Sequence, residues 1–195
     1  MIKGRIHLDE KYVKVKKEHA YDLNAIDNKT KYILAHLFVK KRTPKKCIDF
    51  LRQIKQTCYK QILLRRQINK RIIFVSDKFG PYKIAFNKLF YYVAKLNFGV
   101  SIACKNHGLK HNNNPIERYN QDIDDRITIM RNFGSEDRAE YFLNLKRIIH
   151  NFINPHMQLK GKTPAEMADI DIKLGRNKLL HLIKLYTKKK HHSRR

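Results

Sequence analysis

The feature that most constrains this 195-residue chain is the quartet Ile72-Ile73-Phe74-Val75, apolar without alternation and halted by Ser76-Asp77. So short a run, bounded by basic residues before and polar ones after, reads as a strand buried on both faces, the pattern of an interior strand in a parallel or mixed sheet. Such a strand needs neighbours beside it and helices above and below. Strands that can serve stand upstream. Arg5–Lys16 alternates, with Ile6, Leu8 and Tyr12 on one face and Asp9, Val13 and Val15 on the other. Ala20–Ile26 is a second strand, Asp27-Asn28-Lys29-Thr30 a turn with Asp27 as its turn residue, and Tyr32–Val39 a third.

Helices fill the remaining intervals. Thr43-Pro44 opens one, with Thr as N-cap and Pro in the first position, and Ile48, Leu51, Ile54, Cys58, Ile62 and Leu63 keep helical spacing to about Arg66. Pro81–Leu96 is expected to be a second helix and Gly99–Cys104 a weaker strand. From Asn114-Pro115-Ile116-Glu117 onward, Ile116, Tyr119, Ile123, Ile127, Met130 and Phe133 recur at threes and fours. Ser135 caps a further helix, Thr163-Pro164-Ala165-Glu166 is a capping box, and Asn177–Tyr186 is amphipathic. The order β-β-β-α-β-α-β-α-α-α specifies an α/β layered fold. It is also the order of a ribonuclease H-like core, a mixed five-stranded sheet flanked by helices. The expected division is a core over 1–134, a helical C-terminal extension packed on it over 135–187, and a basic disordered tail over 188–195.

Composition enters through charge. Lys and Arg total 43 against 17 Asp and Glu, a formal net charge of +26. A field of that size on one small domain repels itself unless a polyanion is near, and nucleic acid is the commonest such partner. No run approaches the ~20 apolar residues of a membrane span, and no signal peptide is visible. Three cysteines, Cys47, Cys58 and Cys104, form no C-x-x-C pair, and an odd number excludes a fully paired disulfide framework. Buried free thiols in a reducing compartment, a prokaryotic cytosol, are expected. The histidines show no zinc-finger spacing.

On so cationic a chain three acids stand where such a sheet places chemistry. Asp9 lies in the first strand, and Asp77 ends the buried strand, where open α/β sheets bind ligands. Glu117 lies in the first turn of the helix after Asn112-Asn113-Asn114. Gathered carboxylates suit hard divalent cations, and two such ions can serve both sides of a phosphodiester displacement. Each acid also has a structural alternative: a solvated strand pair for Asp9 with Glu10, a turn cap for Asp77, a capping-box glutamate for Glu117. Glu10 alternates to the other sheet face from Asp9 and is excluded from the set.

The chain resembles the catalytic domain of insertion-sequence DDE transposases, within the retroviral integrase superfamily. The resemblance rests on Leu8-Asp9-Glu10-Lys11-Tyr12-Val13-Lys14-Val15, Tyr21–Asp27, Val75-Ser76-Asp77-Lys78-Phe79-Gly80-Pro81-Tyr82, Asn113–Asn120, Asn154-Pro155-His156 and Gly161–Glu166, in that order across roughly 5–170. It implies that Asp9, Asp77 and Glu117 are the catalytic, metal-binding triad for two Mg²⁺ ions, with Mn²⁺ able to substitute. It further implies that Lys78, Asn113, Asn114, Arg118 and Arg126 contact DNA, that transposon ends and target DNA are the partners, with no membrane, and that the domain works as a homo-oligomer on DNA. Water would attack at the element end, and the freed 3′-OH would then attack the target. The sequence departs from the family pattern in a 39-residue interval between Asp77 and Glu117, and in Gln121 and Asp124 at positions where the family favours basic residues. The N-terminal end-reading domain usual in the family is expected to be absent or encoded elsewhere. Asp124 either faces DNA and repels its phosphates or balances nearby Lys and Arg. Two rival readings stand beside this one: a catalytically inactive DNA-binding remnant, and a basic RNA-binding protein whose three acids do not converge.

Overall fold

A computed structural model of the protein describes residues 1–99, 114–170 and 172–192. Five strands, β1 (Ile6–Val15), β2 (Glu18–Asp27), β3 (Ile33–Val39), β4 (Ile73–Ser76) and β5 (Lys95–Phe98), form one sheet in the order β3-β2-β1-β4-β5. The β1-β2-β3 meander is antiparallel, whereas β4 runs parallel to both β1 and β5. Ile72, Phe74 and Val75 of the apolar quartet are buried and Ile73 half-buried, and β4 is an interior parallel strand, as the composition demands.

Strand alternation divides the core in two. Ile6, Leu8, Leu23 and Ala35 meet α1 (Pro44–Gln67) and α2 (Gly80–Phe90) on one face, through Phe50, Leu51, Ile54, Tyr82 and Phe86. Val13, Val15, Ala20 and Ile26 meet α3 (Asn114–Ile129) and α4 (Glu136–Ile148) on the other, through Ile116, Tyr119, Ile123 and Leu143. The Thr43 hydroxyl accepts from the Lys46 N–H with Pro44 at the first position, and Ser135 accepts from Arg138. Thr163 and Glu166 close their capping box around the short α5 (Pro164–Met167). The last helix, α6 (Lys178–His192), carries helical backbone through most of the segment read as a tail.

One element differs from the sequence reading. The helix expected to reach Leu96 ends at Phe90, and Lys95–Phe98 is β5. Phe86, Phe90 and Val93 do keep helical spacing, but the Val93 and Ala94 N–H groups both turn back to the Phe90 carbonyl, and Lys95 N–H bonds Ile72 C=O instead. The free edge of β4 wins the segment for the sheet. Gly99, at φ +90°, closes β5 by donating its N–H to Ser76 C=O. The strand expected over Gly99–Cys104 otherwise lies outside the described residues.

Asp27 does more than turn its hairpin. Its Oδ2 accepts the N–H groups of Lys3 and Gly4 at 2.5 and 3.1 Å, and its Oδ1 those of Lys29 and Thr30 at 2.8 and 3.3 Å. One buried carboxylate thus pins the chain's start to the β2–β3 turn. Replacing it strands four donors, so Asp27→Ala is expected to destabilise the fold by about 3 kcal/mol. Chemical denaturation with an unchanged m-value measures this, and a loss under about 1 kcal/mol would show that water replaces the carboxylate without cost.

Candidate functional site

Pairing between β1 and β4 covers only Ile6 with Phe74 and His7 with Val75. Past that point β1 carries Asp9 and Glu10, while β4 ends at Ser76 and turns through Asp77 into α2. The turn is held by the Phe79 N–H donating to Asp77 Oδ1 at 3.2 Å. In the opening, one carboxylate oxygen each from Asp9, Glu10 and Asp77 lie within 4.8 Å of one another. They line a cleft of about 410 Å³ together with Tyr12, Arg42, Lys78 and Phe79.

Asp9 and Asp77 thus meet as expected. Glu10 stands beside them, although alternation sets it on the opposite sheet face from Asp9. That is the α1–α2 face, but β4 gives β1 no partner beyond His7, and among the described residues the next bridge on that side is Phe133 at Val15, so at the open stretch between them carboxylates from the two faces can converge. Glu10 is not left bare. Its Oε1 is ion-paired to Arg42, whose guanidinium lies 5.2, 4.5 and 4.6 Å from the ring centroids of Tyr12, Tyr21 and Phe79. Neither Glu10 nor Arg42 was singled out as a site residue by spacing, because the partnership depends on the β3–α1 loop folding back over β1.

The far wall is α3. Asn120 donates its side-chain N–H to Asp9 Oδ2 at 2.9 Å, fixing the carboxylate from the helix side. Glu117, one turn earlier, adds a smaller charge effect on Asp9 but is not among the acids whose oxygens lie within 4.8 Å of one another. One further turn on, Asp124 forms an ion pair with Lys11 of β1. Two residues along a strand span about 6.7 Å and four along a helix about 6 Å. The Asp9–Asn120 and Lys11–Asp124 contacts are therefore successive rungs between β1 and an α3 that runs alongside it. Asp124 balances a lysine, the second of the two readings of that residue. Gln121 is exposed and donates to Asp125 at 2.9 Å, away from this ladder.

The remaining residues that the resemblance marks for DNA are spread out. Lys78 is exposed at the lip of the carboxylate cleft. Asn114 and Arg118 line a different cleft with Lys31, His150 and His156, so Arg118 is not brought to the carboxylates. Arg126 is exposed, about 13 Å further along α3 than Glu117. Asn113 lies outside the described residues.

Electrostatically the cleft carries more negative charge than its surroundings relieve. Burial, then the Glu10, Asp77 and Glu117 charges, push the Asp9 carboxyl up to about 7. Burial and Asp77 also raise Glu10, and Arg42 opposes them. An all-oxygen donor set with unrelieved charge fits a hard divalent cation.

The sequence profile of the DDE domain of IS240-type transposases matches residues 3–156. The chain belongs to the DDE transposase domain family. Solved structures resemble this DDE domain in fold. The simian T-cell lymphotropic virus intasome in complex with PP2A regulatory subunit B56 gamma superposes with a TM-score of 0.61 at 12% identity, over 89% of this chain and 56% of that one. The domain thus spans little more than half of that relative's length. The HTLV-2 integrase catalytic core in complex with magnesium matches in its dimeric form at 0.53 and in its trimeric form at 0.54, each at 14% identity over 86% of this chain and 97% of theirs. A comparison with curated protein sequences returned no match. Among the described residues, no helix of the DDE domain is long and apolar enough to cross a membrane, and Cys47 and Cys58 are free and buried.

The raised Asp9 carboxyl has a measurable sign. Between its ordinary 3.8 and about 7, the folded protein holds a proton that the unfolded chain has released. Asp9 therefore subtracts stability as pH rises from about 4 to about 7, and the loss is complete above that. In EDTA, Asp9→Asn should raise Tm by several degrees at pH 8 and leave it nearly unchanged near pH 4. Thermal scans at the two pH values check this; an equal shift at both would trace the gain to packing rather than charge.

Proposed function

We propose that this DDE domain cuts DNA at an element end and joins the freed 3′-OH to target DNA, at the cleft where Asp9 and Asp77 converge. The convergence of these acids on a chain of charge +26 carries the reading. Asp9, Asp77 and Glu117 would hold Mg²⁺, with Mn²⁺ as substitute. Two such ions supply activation of the attacking oxygen and stabilisation of the leaving one.

The chain's own residues prepare this. Asn120 orients the Asp9 carboxylate, and the Phe79 N–H orients that of Asp77. Arg42 neutralises Glu10, which leaves Asp9 and Asp77 as the acids open to a cation. Lys78 at the lip is placed for a phosphate, a contact that positions the backbone without reading bases. The working unit is a core through residue 134 with the 135–187 extension packed on it, Ala139 and Leu143 of α4 entering the same core cluster as Ile116 and Ile123 of α3. DNA ends and target are the partners, and the domain acts as a homo-oligomer. The inactive-remnant reading loses one support, because Asp124 is matched by Lys11.

Asp77→Asn keeps the acceptor for Phe79 N–H and removes the ligand charge. It should abolish Mg²⁺-dependent strand cleavage and joining, by more than about 100-fold, with Tm retained. Asn120→Ala, which only frees Asp9, should cost about 10- to 100-fold. Assays on labelled duplex with Mg²⁺ or Mn²⁺ decide both. Full activity in Asp77→Asn would remove this cleft from the chemistry.

A further inference from the structure

Away from the carboxylates, at the β5 edge of the sheet, lies a second cleft of about 830 Å³ between the ends of α1 and α2. Four cations line it: Arg66 from α1, Arg71 before β4, Lys83 on α2 and Lys95 on β5. No acid lines it among the described residues, and none of the four pairs with a described acid within 4 Å. Beside them Tyr91 and Tyr92 stand 59% and 74% exposed, edge to face with ring centroids 5.0 Å apart. Lys83 Nζ lies 5.6 Å from the ring centroid of Phe98. Arg71 also borders a neighbouring cleft lined by Lys29, Arg65 and Lys70, again without an acid among the described residues. The positive track therefore continues past the tyrosines along the edge of the sheet where β4 begins, opposite the end where β4 leads into Asp77.

Cations held together with no described acid paired to them ask for an anion, and two large rings left in water ask for a flat apolar partner. A duplex offers phosphates but keeps its base faces stacked inside. A single strand offers both, because each unpaired base has a free face. We propose that this cleft binds single-stranded nucleic acid, with Tyr91 and Tyr92 stacking on unpaired bases and Arg66, Arg71, Lys83 and Lys95 holding the phosphates. The proposal does not depend on the catalytic reading, since none of these residues touches the carboxylate cleft.

The test is fluorescence anisotropy in EDTA with the full chain, using a labelled 15-nucleotide oligothymidylate, an abasic strand of equal length and a 15-base-pair duplex. Tyr91→Ala/Tyr92→Ala should weaken oligothymidylate binding about 10- to 100-fold, leave duplex binding within about twofold, and leave the salt slope unchanged. Arg71→Gln/Lys83→Gln should lower the single-strand salt slope by roughly 1.4. Asp77→Asn, outside this cleft, should keep the preference for oligothymidylate over the abasic strand, so loss of cleavage and loss of base stacking are separable. The tyrosines are exposed enough to be removed without unfolding, and circular dichroism of the variant checks this. Unchanged oligothymidylate affinity in the tyrosine variant would overturn the proposal. So would equal wild-type affinity for the abasic strand. Sedimentation supplies a third arm: a wild type that self-associates without nucleic acid, beside a monomeric tyrosine variant, would assign the face to a second copy of the chain instead.

Discussion

Ile6 and His7 are in register with Phe74 and Val75, and beyond these two positions β1 and β4 share no further ladder. That brief parallel pairing governs the rest. A longer one would fill the space beside Asp9 with backbone, and without any pairing Asp77 would not be carried to the same end of the sheet. Burial of Phe74 and Val75 holds β4 in place, and the turn at Asp77 then lies in the opening by chain continuity. The site is thus a defect in a sheet, bounded by strands that are otherwise fully committed to a core.

Much of this architecture is legible in residue order because it follows from local periodicity. Alternation over Arg5–Lys16 puts Asp9 on the face of Val13 and Val15, which the structure packs against α3, and Thr43-Pro44 marks the start of α1 to the residue. What was hidden depends on partners distant in sequence. Lys95–Phe98 is four residues long and becomes a strand because β4 offers an edge. Glu10 was assigned to the correct face, yet its proximity to Asp77 follows from where β4 stops, which alternation within β1 does not encode. Asn120 sits three residues after Glu117 in plain view, but its role appears only once α3 lies along β1.

The same opposition of charges organises both ends of the molecule differently. At the carboxylate cleft, acids are forced together, and Arg42 relieves only one of them. At the β5 edge, cations are gathered with no acid among the described residues to relieve them. Each is a local excess that folding alone does not balance, maintained by a core built from the two faces of one sheet.

The Lys11–Asp124 rung bears on how such domains are compared. Read alone, an acid at position 124 looks like the decay of a DNA-contacting helix. Read with position 11, it is half of a strand-to-helix pair whose net charge is zero. The two charges compensate each other, so removing either one leaves the other unbalanced at the β1–α3 contact. A tally of basic residues along α3 alone would miss the lysine on the strand beneath it that balances Asp124.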